Sequence, residues 1–300
     1  MLITGANGFI GSYLCSMLND HCRAYALYRN ECRNISSLKN VTCIRTDLGK
    51  DNIEDIYKLF SESKIRAIVH LAANIDFYAK SKDLIQDNLL SLNDALQLAE
   101  KTKVDQFIYF SSVGVYGTDH KGSITEDSLT NCETLYHLTK LWGEQLLNLF
   151  CASRPNMKKL IFRLSSPIGV GMRDNLFLPA VVKAAMKNKD IMIYGKGTRI
   201  QNYIDVRDIV NTVKNSISSR LTGMYNLVSP KSYSNKEVSL ICKEVLGSKS
   251  QIVHVDNDIH DKEKWVFNSD RIKKLREYSV EHELSDSILW LAKHYENSGI

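Results

Sequence analysis

The chain has 300 residues, 44% of them hydrophobic, and a formal net charge of +5, a composition ordinary for a globular α/β protein. Its seven cysteines are an odd number without a CxxC pair or a zinc-type His/Cys spacing. We therefore expect no disulfide scaffold, no bound metal and a reducing, cytoplasmic setting. The basic residues of 262–276 are interrupted by acidic ones, and the longest apolar stretch, 65–73, is too short to span a bilayer. These features argue against nucleic-acid and membrane partners.

A glycine-rich turn, residues 4–11 with the sequence TGANGFIG, follows the apolar first residues and precedes a helix-like run. Gly5 permits a backbone angle that other residues resist, Gly8 lets the main chain touch a pyrophosphate, and Gly11 lets the helix pack closely on the strand. The N–H groups and positive dipole end of the helix would then hold the phosphates. The turn predicts a dinucleotide-binding site.

The second strand, 23–28, ends at Arg29, where nucleotide-binding sheets face the adenosine ribose. A carboxylate at this position pairs with the ribose hydroxyls, whereas an arginine pairs with a 2′-phosphate. Because no acidic residue occupies the strand end, Arg29 favours NADP(H) over NAD(H); the alternative is a loop arginine in water. A third strand, 41–45, leads to Asp47 and Leu48, where the carboxylate can accept from the adenine amino group.

Strands and helices continue to alternate as far as residue 164, which predicts an α/β fold with a doubly wound parallel sheet. The strand 65–73 ends in the small pair Ala72 and Ala73, across which a cofactor can lie. The strand 106–110 delivers Ser112 at the sheet edge where such folds place ligands. The remaining predicted elements of this part are helices 53–61, 88–102 and 134–150 and strand 159–164.

Beyond Ser165 the alternation loosens, and this region is predicted to be a lid rather than more sheet. We predict a cofactor-binding unit of residues 1–165 with about 203–229, and a small substrate-binding lobe of about 166–202 with 230–300. The elements predicted here are helices 178–187, 202–210, 235–246 and 284–295, a turn at 195–197 and a strand at 224–228.

Tyr136 and Lys140 are four residues apart and therefore share one face of a predicted helix. A fixed ammonium stabilises a phenolate and lets the tyrosine exchange a proton with an alcohol or carbonyl, while Ser112 polarises the same oxygen. Tyr78 and Lys82 have the same spacing, but no serine pair is delivered before them. The pattern predicts hydride transfer with a proton relay centred on Tyr136.

Taken together, these motifs resemble the extended short-chain dehydrogenase/reductase family, nearest to its NAD(P)-dependent nucleotide-sugar epimerases, dehydratases and 4-reductases. The resemblance implies a Rossmann-like fold and covers almost the whole chain. The residues that carry it are 4–11, 47–48, 70–73, 111–112, 115–117, Tyr136 with Lys140 and Glu144, 163–169, Asn175 and 195–208.

The resemblance implies that Tyr136 is the acid/base, that Lys140 grips the nicotinamide ribose, that Ser112 holds the substrate oxygen and that Asn88 assists near the nicotinamide. It also implies a homodimer through helices 88–102 and 134–150. The expected cofactor contacts are Gly5, Asn7, Gly8, Phe9, Ile10, Gly11, Arg29, Asp47, Leu48, Leu71, Ala72, Ala73, Asn88, Tyr136, Lys140, Ser166 and Pro167. The expected contacts of a nucleotide-sugar substrate are Asn74, Ser112, Val113, Asn175, Gln201 and Arg207.

Two departures from the family pattern bear on the reaction. Gln201 stands where the family usually has an arginine for the substrate diphosphate, so either Arg199 or Arg207 replaces it or the substrate is not a nucleoside diphosphate. Val113 and Gly114 stand where dehydratases carry acidic residues, which disfavours dehydration.

Three hypotheses on the function follow from the sequence. The favoured one is NADPH-dependent 4-keto reduction of a nucleotide-linked sugar. The alternative is an NAD-dependent nucleotide-sugar 4-epimerase, which needs the same three residues. A non-sugar carbonyl reductase or a non-catalytic cofactor-binding protein comes last, because Ser112, Tyr136 and Lys140 are all present.

Overall fold

The computed structural model describes residues 1–32, 35–76, 79–120, 122–256, 260 and 262–299. The chain forms two compact units. The first consists of Met1–Gly117, Leu129–Leu164 and Val210–Leu227, and the second of Thr118–Ser128, Ser165–Ile209 and Val228–Ile300.

The first unit is built on a parallel sheet that has seven strands in the described part of the chain. All of its strand pairs are parallel, which confirms the predicted doubly wound sheet. The strands are β1 (Leu2–Thr4), β2 (Ala24–Tyr28), β3 (Val41–Arg45), β4 (Ala67–His70), β5 (Gln106–Ser112), β6 (Lys158–Leu164) and, from later in the chain, β10 (Gly223–Leu227). Their order across the sheet is β10-β6-β5-β4-β1-β2-β3.

Helices pack on this sheet through an apolar core. Leu2, Ile68, Phe107 and Ile161 belong to it, each at most 3% exposed, and burying such a side chain contributes about 1.5–3 kcal/mol. The helices are α1 (Phe9–Leu18), α2 (Ile53–Lys58), α3 (Ser81–Ile85), α4 (Ser91–Thr102), α5 (Leu135–Ala152) and α7 (Val206–Ser219), the last of which belongs to this unit from Val210. A π-helical turn, Gln86–Leu90, joins α3 to α4.

The strand order reverses between β1 and β4. The chain passes from β1 outward to β2 and β3 and then returns to the other side of β1 as β4. Open α/β sheets bind ligands in the crevice at this switch point, beyond the carboxyl ends of the strands. The glycine turn follows β1 and Leu71–Asn74 follow β4, so both segments meet this crevice.

The second unit contains further sheet, so the prediction of a lid without strands is wrong. β7 (Ser166–Ile168), β9 (Ile200–Asp205) and β11 (Ser232–Ser234) form a three-stranded sheet, and β8 (Ile191–Tyr194) pairs in parallel with β12 (Ile252–Val255). The helices are α6 (Phe177–Met186), α8 (Asn235–Val245), α9 (Asp270–Lys273) and α10 (Leu284–Asn297).

The predicted helix 202–210 is also wrong in its first half. Residues 202–205 belong to strand β9, which pairs on both sides with β7 and β11, and the helix begins only at Val206. Pairing with two neighbouring strands overrides a weak local helical pattern. Among the helices of the described ranges, none has the length and apolarity needed to cross a membrane.

Candidate active site

The glycine turn has the backbone geometry of a phosphate cradle. Gly5 has φ +64°, and a Cβ there would lie 2.7 Å from the backbone nitrogen of Ala72. A Cβ at Gly11 would lie 2.8 Å from the Cα of Ala6, and the N–H of Gly8 donates to the carbonyl of Gly5 at 3.0 Å. Helix α1 starts directly afterwards at Phe9, with Ile10 in its first turn. The turn therefore fits a pyrophosphate held at a helix N-terminus.

A cavity of about 150 Å³ lies beside this turn at the switch point. It brings together seven of the predicted site residues, among them Arg29, Asp47 and Asn74. Its lining residues are Gly5, Leu27, Tyr28, Arg29, Thr46, Asp47, Leu48, Ala72, Ala73, Asn74, Asp87 and Ser91. These residues suit an adenosine, because apolar strand ends meet polar groups along one edge.

The guanidinium of Arg29 is paired with an acid that lies far away in sequence. Its Nη1 lies 2.9 Å from Oδ1 of Asp87 and 4.0 Å from Oδ1 of Asp47. Asp87 is only 12% exposed, whereas Arg29 is 47% exposed. The strand end thus has an acidic partner after all, supplied by the π-helical turn 58 residues downstream.

A chain of hydrogen bonds continues from Asp87 to the helix that carries Tyr136. The side-chain amide of Asn74 donates to Asp87 at 3.0 Å, and the backbone N–H of Asn74 donates to Oδ1 of Asn88 at 2.7 Å. The amide of Asn88 donates to Oγ1 of Thr139 at 2.9 Å, and Thr139 donates to the carbonyl of Tyr136 at 2.7 Å. Asn88 is therefore a buried link between the loop after β4 and α5.

Lys140 is buried, with 4% of its surface exposed, beside the Tyr136 ring. Its Nζ donates to the carbonyl of Phe110 at 2.8 Å and lies 5.9 Å from the centre of the Tyr136 ring. Burial lowers the pKa of Lys140 to about 8, since desolvation penalises the ammonium. The group is still mainly cationic at neutral pH and places positive charge beside the phenol.

Ser112 ends β5 next to a short 3-10 turn, Val113–Tyr116. The N–H of Gly114 donates to Oγ of Ser112 at 3.1 Å. A Cβ at Gly114 would collide with the imidazole of His137, which follows Tyr136 on α5. Burial lowers the pKa of His137 to about 4, so this imidazole is neutral at physiological pH.

A buried ion pair holds α5 on the sheet beneath these residues. Arg163 donates to Glu144 through Nη2 at 2.7 Å and through Nε at 2.9 Å, and Ser111 donates to the same carboxylate at 2.5 Å. Burial opposes the charge of Arg163, but the hydrogen bonds to Glu144 prevail and raise the pKa of the guanidinium. Removing one partner from such a pair leaves an uncompensated buried charge, so Glu144 and Arg163 fix the position of α5.

Five of the predicted contacts belong to the second unit. Ser166 and Pro167 lie on β7, and Asn175 is exposed just before α6. Gln201 donates to Oδ1 of Asn235 at 3.2 Å. Arg207 binds Asp205 through two hydrogen bonds of 2.8 Å and stacks at 4.1 Å on Trp290.

Both arginines considered as replacements for the missing diphosphate clamp are in ion pairs, since Arg199 lies 2.9 Å from Glu263 and Arg207 pairs with Asp205. Tyr78, the alternative tyrosine, lies outside the described residues. Sequence reasoning missed Asp87, His137 and Thr139. His137 stands between two predicted site residues, but only the fold shows that it faces Gly114.

Comparison with known proteins places the chain in a family. The model of the NAD dependent epimerase/dehydratase family matches residues 1–227. The chain is 29% identical to a UDP-glucose 4-epimerase of Caenorhabditis elegans over 292 residues, covering 82% of this chain and 83% of the relative. It is 26% identical to a dTDP-D-glucose 4,6-dehydratase of Dictyostelium discoideum over 262 residues, 80% of this chain and 60% of the relative.

A solved structure has the same fold over nearly the whole chain. It is a UDP-glucuronic acid 4-epimerase from Bacillus cereus, in complex with UDP-glucuronic acid and NAD. The TM-score is 0.84 at 21% identity, with 99% of each chain covered. The chain therefore belongs to the NAD dependent epimerase/dehydratase family, a branch of the extended short-chain dehydrogenases/reductases that act as nucleotide-sugar enzymes.

Proposed function

We propose that the protein is a nucleotide-sugar 4-epimerase that works with a retained NAD(H), rather than the NADPH-dependent 4-keto reductase favoured from the sequence. The observation that carries the choice of NAD(H) over NADPH is the pairing of Arg29 with Asp87 at 2.9 Å. The packing of His137 on Gly114 beside Ser112 bears on the third reaction of the family, dehydration. The imidazole of His137 occupies the space that an acidic side chain at position 114 would need, which argues against dehydration. The UDP-glucose 4-epimerases among the relatives support epimerisation over 4-keto reduction.

The residues of this chain supply the acid/base part of an epimerisation. Tyr136, with the Lys140 ammonium 5.9 Å from its ring centre, accepts the proton of the C4 hydroxyl while Ser112 donates to the same oxygen. The glycine turn and the cavity beside it would hold NAD(H), which when bound would supply reversible hydride transfer at C4. Tyr136 then gives the proton back to the oxygen. One proton and one hydride leave and return, so no net oxidation occurs.

The adenosine end supports NAD(H) as the retained cofactor. Asp87 lies 2.9 Å from the Arg29 guanidinium and balances its charge, whereas Asp47, 4.0 Å from Arg29, lies nearer to Lys50 at 2.9 Å. Carboxylates accept hydrogen bonds from the two ribose hydroxyls, but they repel a 2′-phosphate. The carboxylate of Asp87 therefore competes with a 2′-phosphate for Arg29, which opposes the NADP(H) preference predicted from the sequence.

One observation favours the second candidate, NADPH-dependent 4-keto reduction. A larger cavity of about 540 Å³ adjoins the adenosine cavity and is lined by Arg29, Arg45 and Lys50. Three cations around one cavity suit a phosphate, although Asp47 and Asp51 line it as well. A reductase would exchange its cofactor at every turnover.

The test combines cofactor content with a product assay. Native mass spectrometry of the purified protein is expected to show bound NAD(H), and incubation with UDP-glucose or UDP-glucuronic acid is expected to give the 4-epimer, observed by NMR without added cofactor. Tyr136→Phe serves as the matched control, because it keeps the ring and loses the proton donor. Stoichiometric oxidation of NADPH by a 4-keto nucleotide sugar, without interconversion of epimers, would instead establish the reductase.

We also infer a homodimer. Large apolar side chains on α3, the π-helical turn and α5 are exposed, with Leu149 at 73% and Trp142 at 43%. Ile85 and Leu90 add to the same set. Exposed apolar groups on neighbouring helices are typical of interaction surfaces. Light scattering is expected to give a dimer for the wild type and a monomer for Leu149→Glu; a wild-type monomer at micromolar concentration refutes the inference.

A further inference from the structure

Two thiols lie in contact at the edge of the adenosine end. Sγ of Cys32 lies 2.9 Å from Sγ of Cys43, which also contacts the carbonyl of Ile35 at 3.8 Å. Cys43 is on β3, and Cys32 is in the segment after β2, three residues beyond Arg29. Both side chains are partly buried. We propose that Cys32 and Cys43 form a reversible disulfide that holds this segment against β3 and slows the release of the cofactor.

The geometry requires little movement. A disulfide has an S–S distance of about 2.04 Å, so the two sulfurs at 2.9 Å need to approach by less than an ångström. The strands β2 and β3 that flank the pair are already in register, with Ala26 opposite Cys43 and Tyr28 opposite Arg45. Cys43 is therefore held in place by strand pairing, and the cross-link would tie Cys32 to this fixed strand.

The pair is distinct from a metal site. Cys15, on α1, is a third thiol that interacts electrostatically with both Cys32 and Cys43. Among the described residues, however, no group of three His, Cys, Asp or Glu side chains is arranged to hold a metal ion. Two thiols in contact are instead the arrangement needed for thiol–disulfide exchange.

The exchange balances with a disulfide oxidant such as oxidised glutathione. The thiolate of Cys32 attacks one sulfur of the oxidant and releases one molecule of thiol. The sulfur of Cys43 then attacks the mixed disulfide at Cys32, loses its proton and releases the second thiol. The protein gives up two protons and two electrons, and the oxidant takes up both. Burial and the contact with Cys32 raise the pKa of the Cys43 thiol, so the sulfur of Cys43 is a poor first nucleophile.

The segment that carries Cys32 also shapes the cofactor site. Arg29 and Asn30 line the larger cavity. The amide of Asn7 in the glycine turn donates to the carbonyl of Glu31, and Nε of Arg45 donates to the carbonyl of Arg29 at 3.3 Å. A covalent link at Cys32 holds these contacts together. Fixing a segment in its binding conformation removes part of the ordering cost of binding.

The test uses the full-length protein treated with increasing ratios of oxidised to reduced glutathione. Peptide mapping without reduction is expected to show a Cys32–Cys43 cross-link in the wild type. The release rate of NAD after dilution is expected to fall about three- to tenfold on oxidation and to recover with dithiothreitol. Cys32→Ser and Cys43→Ser are expected to lose both effects. Cys22→Ser, which removes another partly buried thiol, is expected to keep them.

Three outcomes overturn the proposal: a stable glutathione adduct at Cys32 without a cross-link, a cross-link from Cys15 to Cys43, or a Cys32–Cys43 cross-link that leaves NAD release unchanged. Both readouts are independent of the sugar reaction. A protein that forms the cross-link and slows NAD release but does not epimerise sugars would refute the proposed function and leave this inference intact.

Discussion

The catalytic end and the adenosine end of the candidate site handle charge in opposite ways. At the catalytic end a single ammonium, Lys140, is buried against aromatic rings, where a charge acts strongly. At the adenosine end Arg29 is 47% exposed and is paired with Asp87, and solvent screens the pair. We therefore expect substitutions at the catalytic end to change the rate by orders of magnitude, and substitutions at the adenosine end to change the choice of cofactor by a few-fold.

The largest effect is expected from Tyr136→Phe. Loss of the proton-transferring oxygen is expected to lower kcat by about 10²–10⁴-fold, while NAD binding, measured by calorimetry, stays within about twofold of wild type. Residual turnover above about a tenth of wild type would show that another group transfers the proton. That result would contradict the expectation that substitutions near Lys140 change the rate by orders of magnitude.

The dependence of kcat on pH tests the catalytic end further, because burial of Lys140 lowers its pKa and so sets the pH at which its charge is lost. The group is cationic below its pKa of about 8 and neutral above it, so the support for the phenolate is lost as the pH rises through that value. We expect kcat to decline above about pH 8. Lys140→Arg, whose cation persists, is expected to move this decline to higher pH even if the rate is lower at every pH; an unchanged decline would assign it to another group.

The contact between Gly114 and His137 predicts an intermediate effect. Gly114→Ala forces a Cβ into the imidazole, and such overpacking typically costs about 1–3 kcal/mol. We expect a lower midpoint of urea unfolding and a reduced kcat. The double variant with His137→Ala is expected to recover most of the loss, because the collision is removed. Additive effects in this double-mutant cycle would show that the two residues do not interact.

The smallest effect is expected from Asp87→Asn. Without the carboxylate of Asp87, only Asp47 at 4.0 Å remains near Arg29, which then pairs more readily with a 2′-phosphate. We expect the ratio of NADPH to NADH affinity to rise about three- to tenfold, as suits a partly exposed ion pair. Asp83→Asn on α3 is the matched control. An unchanged ratio of the two dissociation constants would mean that Asp87 does not control the charge that the ribose encounters.

The features predicted correctly from the sequence are those that residues close together along the chain determine. The glycine turn and the strands around it are local patterns, and the alternation of long strands and helices predicted the parallel sheet. The spacing of Tyr136 and Lys140 likewise predicts a shared helix face. In contrast, β7 and β11 have only three residues each, too few for a periodic pattern. Arg29–Asp87 and Gly114–His137 join residues that only the folded chain brings together.

The π-helical turn Gln86–Leu90 has a consequence for how the site can change over evolution. Its neighbouring residues Asp87 and Asn88 serve different tasks, since Asp87 faces Arg29 and Asn88 reaches Thr139 under the tyrosine. Wide turns of this kind hold one residue more than a regular helical turn and often occur at functional positions. Loss of the extra residue would displace Asp87 and Asn88 together, and with them the contacts to Arg29 and Thr139. We therefore expect insertions and deletions to be tolerated in α3 or α4 more readily than in the π-helical turn between them.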